Sequence, residues 1–309
     1  MKKPRIKQIF AMLIAAAVLC FSGGSDFGVC EGSVYTVNEW NYVDSSMDVS
    51  GGIPEDASGT LARIRERGVL RVATEPYYPP QEFIDPAFDG QDKYRGADME
   101  LARLIAERMG VELQISGMEF RDVLPAVAGD ECDLAISALS FTPGRASSHT
   151  MSKGYYFSDI PKTVIIIRAA DEAEIKSVED LAGKTLAAQQ GSLQEAVMAA
   201  GVYVYKEFRR MSQVQEVYSA VARGNADAGA VDAETAIEYL ENNPQDGLMI
   251  VPGIEFPLRY EYLGDRIAAR NGEYQLIAFV NGVIDEVLEN QMYDEWIAEA
   301  RQRARELGM

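Results

Sequence analysis

Short runs of β-branched and apolar residues recur along this chain, each followed by a stretch of about ten residues with helical periodicity; no other feature limits the fold as much. From Thr60 onward the order is Val69–Thr74, Asp98–Met109, Val111–Ile115, Phe120–Gly129 and Asp133–Leu139. It continues with Thr163–Arg168, Thr185–Gln189, Ser192–Ala200, Ser212–Gly224 and Ala226–Val231. Strands alternating with helices imply βαβ units, mostly parallel sheets and an α/β fold. In Asp98–Met109, an N-cap at Asp98 precedes Leu101, Leu104 and Ile105, and Gly110 stops the helix. In Glu273–Glu289, Leu276, Val280, Val283 and Val287 fall on one face with Ile277, Ile284 and Leu288 beside them.

The first residues read differently. Lys2, Lys3, Arg5 and Lys7 precede an apolar run from Ile9 to Phe21, and Ser22, Gly23 and Gly24 follow it. The run is short for a bilayer span, so residues 1–24 are expected to be a secretory signal peptide, with a permanent anchor as the alternative. Lipid attachment at Cys20 has little support, since Ala17-Val18-Leu19 fits a lipobox poorly. Residues 25–59 are rich in Gly, Ser, Asp and Glu without sustained periodicity, and are expected to form a flexible leader, although Tyr35, Trp40 and Tyr42 offer groups that could dock on the body. The mature protein is therefore expected in the periplasm or outside the cell.

Composition excludes more than it identifies. A net charge of −19 argues against a nucleic-acid partner, which needs basic patches. His149 is the only histidine and no metal-ligand cluster or cofactor motif stands out, so neither metal nor cofactor is expected. Cys132, before an apolar run, reads as a small core residue, and a disulfide with Cys30 is open but unsupported by spacing.

In open α/β sheets ligands bind beyond the carboxyl ends of the strands. Four such places are polar here: Glu75 to Pro80, Ser137 to Arg145, Gln190-Gly191-Ser192 and Asp232. Each has a plain reading as well: Ser192 and Asp232 as helix caps, Arg145 as a surface residue, Tyr78 as a core aromatic. Together they supply what a buried zwitterion needs, a guanidinium for its carboxylate and a carboxylate for its ammonium. Arg145 offers the first and Asp232 the second, with neutral donors around Ser137–Ser140 and Gly191–Ser192.

The ordered series Tyr78-Pro79-Pro80, Gly96-Ala97-Asp98-Met99-Glu100-Leu101-Ala102, Asp133-Leu134-Ala135-Ile136-Ser137, Thr142-Pro143-Gly144-Arg145, Gly183-Lys184 and Gln190-Gly191-Ser192 resembles the family 3 extracellular solute-binding proteins, the amino-acid receptors of ABC importers. The resemblance covers nearly all of residues 60–309. It implies a periplasmic-binding-protein type II fold, two doubly wound α/β lobes joined by crossing strands near Pro161–Val164 and Val251–Phe256. Lobe 1 would hold residues 60–162 and 255–309, and lobe 2 residues 163–254.

Carried over by position, the resemblance implies that Glu75 approaches the ligand side chain and that Tyr78 and Phe120 sandwich it. Ser137, the Ala138 backbone and Ser140 would bind the polar head, Arg145 the α-carboxylate and Asp232 the α-ammonium, with Ser192 in the donor loop of lobe 2. Leu193 stands where many members have threonine, which removes a hydroxyl, and Glu75 reaches one methylene further than the commoner aspartate. A polar or cationic amino acid is favoured; a cation between the two rings would gain roughly 0.5–2 kcal/mol. The partners implied are that amino acid and an ABC permease, with the protein monomeric. Two rivals remain open, a dehydratase or lyase of the same fold and a sensory binding module.

Overall fold

The computed structural model describes residues 43–158, 163–254, 256 and 264–309; the expected signal peptide, Cys20, Cys30, Tyr35, Trp40, Tyr42 and Pro161 lie outside them. The first part of the chain runs α1 (Gly59–Arg67), β1 (Val69–Thr74), β2 (Tyr77–Tyr78), β3 (Glu82–Ile84), β4 (Tyr94–Arg95), α2 (Ala97–Met109), β5 (Glu112–Gly117), α3 (Phe120–Ala128), β6 (Leu134–Ser140), α4 (Pro143–Ser148) and β7 (His149–Met151). A second group follows: β8 (Val164–Arg168), β9 (Thr185–Gln189), α5 (Leu193–Gly201), β10 (Glu207–Met211), α6 (Val214–Ala222), β11 (Ala228–Val231), α7 (Ala233–Asn242) and β12 (Leu248–Ile250). The chain then returns with β13 (Asp265–Arg270), α8 (Tyr274–Glu289) and α9 (Met292–Glu306).

Two five-stranded sheets result, ordered β5-β1-β6-β13-β7 and β10-β9-β11-β8-β12. In each, four strands run in one direction and only the strand made after a crossing runs against its two neighbours: β13 against β6 and β7, and β8 against β11 and β12. Each sheet is therefore mostly parallel, as the alternation implied, with one antiparallel strand that the alternation did not locate. Both are covered on two faces, which is why their strands are apolar throughout rather than alternating. On β8, Val164 and Ile166 pack with α6 and α7 residues, while Ile165 and Ile167 pack with Leu186 and Met198. On β1, Leu70 and Val72 face α2 and α8, and Ala73 faces Val123 and Val127 of α3. This is the type II periplasmic-binding-protein fold, and each sheet with its helices is a lobe.

Three local expectations change. Gly96, not Asp98, is the N-cap of α2; its φ is 117°, and a Cβ at this position would stand 2.1 Å from the Gln81 carbonyl oxygen, so only glycine fits. That frees Asp98, in the first turn, for another task. Leu288 at the end of α8 is 42% exposed rather than part of the core face. Residues 43–49 form no loose leader: Val43 is fully buried, and its amide donates to the Met151 carbonyl at 3.0 Å. Asn281 of α8 donates to the Val43 and Ser45 carbonyls at 2.7 and 3.0 Å, and Gly282 lets the Met47 carbonyl approach where a Cβ would stand 2.1 Å from it. Val43, Met47 and Val49 pack on the first-lobe core, but at irregular spacing that a periodicity argument does not detect. Cys132 is buried with a free thiol.

Candidate ligand site between the lobes

The carboxyl ends of β1 and β6 and the start of α3 and α4 meet the carboxyl ends of β9 and β11 across one cavity. All nine residues expected at a site border it: Glu75, Tyr78, Phe120, Ser137, Ala138, Ser140 and Arg145 from the first lobe, Ser192 and Asp232 from the second. Its volume is about 40 Å³, room for roughly two or three waters. A larger guest enters only by parting the lobes or displacing side chains.

Arg145 forms the first pole. Thr142 caps α4 by accepting from the Arg145 amide at 3.1 Å, which fixes the start of a six-residue helix and the origin of the arginine side chain. Its Nη1 donates to the Ser140 carbonyl at 2.6 Å and its Nη2 to the Gly191 carbonyl at 2.9 Å, so the guanidinium already ties the two lobes. It also lies 5.5 Å from the Phe120 ring. Burial lowers its pKa to about 10, with Asp265 opposing the shift, so it stays charged at neutral pH.

Glu75 forms the second pole. It follows β1 and is 1% exposed. Oε1 accepts from Gln189 Nε2 of the opposite lobe at 2.7 Å, while Oε2 is buried without a hydrogen-bond partner. Burial raises its pKa to about 7, against the pull of Gln189 and with help from Glu119.

The groups from β6 do other work than expected. The Ser137 hydroxyl accepts from the Glu75 amide at 3.0 Å and donates to Glu82 Oε1 at 2.8 Å. The Ala138 amide donates to Asp98 Oδ2 at 2.8 Å. Neither the hydroxyl nor that amide is a spare donor for a ligand head; both build the wall. Ala138 takes φ 44°, and the β6–β13 register slips opposite it, between Arg266 and Ala268. Such a bulge re-aims peptide groups at the strand's end, and the Asp98 bond holds the left-handed alanine in place.

Asp98 also accepts from Tyr155 Oη at 2.9 Å and Tyr293 Oη at 2.7 Å. Burial still raises its pKa to about 6, and burial beside Asp98 pushes Glu82 well above the carboxylate range. Burial thus favours the neutral form of Glu82 beside Asp98.

The second lobe contributes helix ends. Ser192 caps α5, accepting from the Glu195 amide at 2.9 Å. Asp232 caps α7 through Oδ1, accepting from the Glu234 and Thr235 amides at 2.9 and 3.3 Å. The plain capping reading of both is thus present in the same residues that border the cavity.

Gln81, Gln189, Gln194, Glu234 and Asp265 also line the site and were not anticipated, while Leu193, expected beside Ser192, lines it too. Gln189 carried a readable signal, a polar side chain closing an apolar strand just before Gln190-Gly191-Ser192. Asp265 carried none, since only the return crossing brings β13 beside β6. Around the cavity, Glu75, Asp232, Glu234 and Asp265 stand against Arg145, the single cation bordering it among the described residues. Of these carboxylates, Glu234 is offset from outside the cavity by Arg301.

Comparison with known proteins agrees with this architecture. Residues 70–299 match the bacterial extracellular solute-binding proteins, family 3. The arginine-binding extracellular protein ArtP of Bacillus subtilis is 26% identical over 223 residues, 72% of this chain and 81% of that protein. The L-cystine-binding protein TcyJ of Escherichia coli is 26% identical over 230 residues, 74% of this chain and 81% of that protein. The amino acid ABC transporter substrate-binding protein AbpA of Streptococcus pneumoniae, solved with L-arginine, superposes with a TM-score of 0.68 at 29% identity, covering 79% of this chain and 98% of that one. A bilobed fold with a polar cavity at its strand ends and a family match across most of the chain lead to one conclusion: this protein belongs to the family 3 extracellular solute-binding proteins.

Proposed function

We propose that the protein captures a small amino acid with a cationic side chain by lobe closure, outside the cytoplasm, and delivers it to an ABC permease. The observation that carries this reading is the buried Glu75 carboxylate, with one oxygen unpartnered, sharing a cavity with Arg145. A guest with a carboxylate at one end and a guanidinium or ammonium at the other neutralises both poles. In this reading Arg145 exchanges the Ser140 and Gly191 carbonyls for the α-carboxylate, and Asp232 receives the α-ammonium. Tyr78 and Phe120 flank the side chain as it reaches Glu75. Relatives of equal similarity bind arginine in one case and cystine in the other, so the ligand class rests on the pocket's charge and not on their names. Only contacts made on closure favour the closed form, and Gln189 with Glu75 is such a contact.

The test is a thermal-shift screen followed by calorimetry. L-Arginine, L-lysine and L-ornithine are expected to raise the melting temperature by mass action, and acidic amino acids to leave it unchanged. No response from any amino acid would overturn the reading. A carboxyl near neutrality is also suited to general acid–base catalysis, so the same protein is tested for turnover of prephenate and arogenate. Product formation that disappears in Glu75→Gln would replace the receptor reading with the catalytic one.

A further inference from the structure

We propose that Arg301 and Tyr156 are positioning residues that latch the cleft shut from outside the ligand cavity, by gripping Glu234 and Glu238 of α7. Neither Arg301 nor Tyr156 borders that cavity. Arg301 belongs to α9, which is fixed to the first lobe: Tyr293 donates from it to Asp98, and Ile297 lies in the first-lobe core. α7 belongs to the second lobe through Ala233 and Ala236. The guanidinium spans the gap, pairing through Nη2 with Glu234 Oε1 and through Nε with Glu238 Oε1. From the other side, Tyr156 Oη donates to Glu234 at 2.8 Å, its ring 5.1 Å from that of Tyr293.

The chemistry favours a switch over a plain surface contact. Glu234 and Glu238 are one helical turn apart, where like charges repel. A single planar fork neutralises both, which an ammonium would do less well. The three side chains are only 17–27% exposed, so water screens the pairs less than it screens surface ones. Parting the lobes would return both carboxylates to water, and closing them requires Arg301. Because Glu234 also lines the ligand cavity, the latch and the ligand act on the same helix end.

The inference rests on the receptor reading for its ligand but not for closure itself, so the experiment reads each separately. Small-angle scattering of the ligand-free protein is compared for wild type, Arg301→Glu, Glu238→Arg and the double charge swap, and L-arginine dissociation is followed by stopped flow. Arg301→Glu is expected to enlarge the radius of gyration and speed dissociation about tenfold. The double swap should restore part of both, which a purely structural role for Arg301 within its own lobe would not allow. Tyr156→Phe should shift both in the same direction by less. Unchanged scattering in Arg301→Glu, or no recovery in the folded double swap, overturns the latch. If wild type binds no amino acid, the receptor reading fails alone, and scattering still decides the latch.

Discussion

The two walls of the cleft are built on different principles. On the first-lobe wall, the polar groups nearest the cavity are held by one another: Ser137 by Glu75 and Glu82, Ala138 by Asp98, and Asp98 by two tyrosines. On the second-lobe wall, the groups are helix caps, Ser192 and Asp232, tied to the backbone of their own helices. The first is a preassembled half-site whose shape is set before a ligand arrives. In the proposed closure the second serves as a lid, secured through Arg145, Gln189 and the α7 carboxylates. A half-site assembled in advance through shared hydrogen bonds loses much when one member is removed; a lid loses little.

The largest effect should follow loss of Arg145. It is the only cation bordering the cavity among the described residues, and it reaches both walls. Arg145→Ala is expected to weaken amino-acid binding at least about a hundredfold, since a buried carboxylate then stays unpaired at a cost of roughly 3–5 kcal/mol. Calorimetry that finds affinity within a few-fold of wild type would remove the first-lobe wall from ligand recognition. Next in size, Asp98→Asn strikes the preassembly itself. An amide cannot accept from Ala138, Tyr155 and Tyr293 together, so one donor is left buried without a partner. Unfolding in urea should show a loss of about 3 kcal/mol; a loss below about 1 kcal/mol would mean the wall is held by packing alone.

How much of this was legible in the residues divides along the same line. The strand–helix alternation placed β1, α3, β6, β9, α5 and β11 within a residue or two, because buried strands and one-sided helices write their periods into the chain. Strand ends then located the cavity. What could not be read were tasks decided by distant partners. Asp98 looks like an N-cap until Gly96 takes that position and two tyrosines, one nearly 200 residues away, reach it. Ser137 looks like a ligand donor until Glu82 claims its proton. Asp265 and Arg301 come from after the return crossing, and nothing local in their neighbourhoods points to the cleft. The strap at 43–49 escaped for a third reason, since its apolar contacts, Val43, Met47 and Val49, are too few and too unevenly spaced to show a period.

A pH series sharpens the contrast further. Glu75 has its pKa raised from 4.5 to about 7 and Asp98 from 3.8 to about 6. Between the ordinary and raised values the folded protein holds protons that the unfolded chain has lost, so these groups make stability fall as pH rises from about 4 to 7. A cationic ligand acts in the opposite sense, because it favours ionised Glu75. Its affinity should climb up to about tenfold per pH unit toward pH 7 and then level off. Glu75→Gln should flatten that climb and lower affinity for L-arginine about tenfold. An affinity for L-arginine that falls toward pH 7 would show that Glu75 binds as the neutral acid and that the guanidinium of the guest does not sit against it.

The smallest effect is expected on the lid. Ser192→Ala removes the cap that accepts from the Glu195 amide, which is worth about 1 kcal/mol of helix stability. Leu193 and Gln194 still shape that corner, and the Gly191 carbonyl that Arg145 uses is backbone and survives the change. Ligand affinity should therefore fall by no more than about fivefold, through the dissociation rate, with the association rate unchanged. Should Ser192→Ala cost as much as Arg145→Ala, the serine hydroxyl grips the ligand directly. The second wall would then be a half-site equal to the first, and the division into scaffold and lid would not stand.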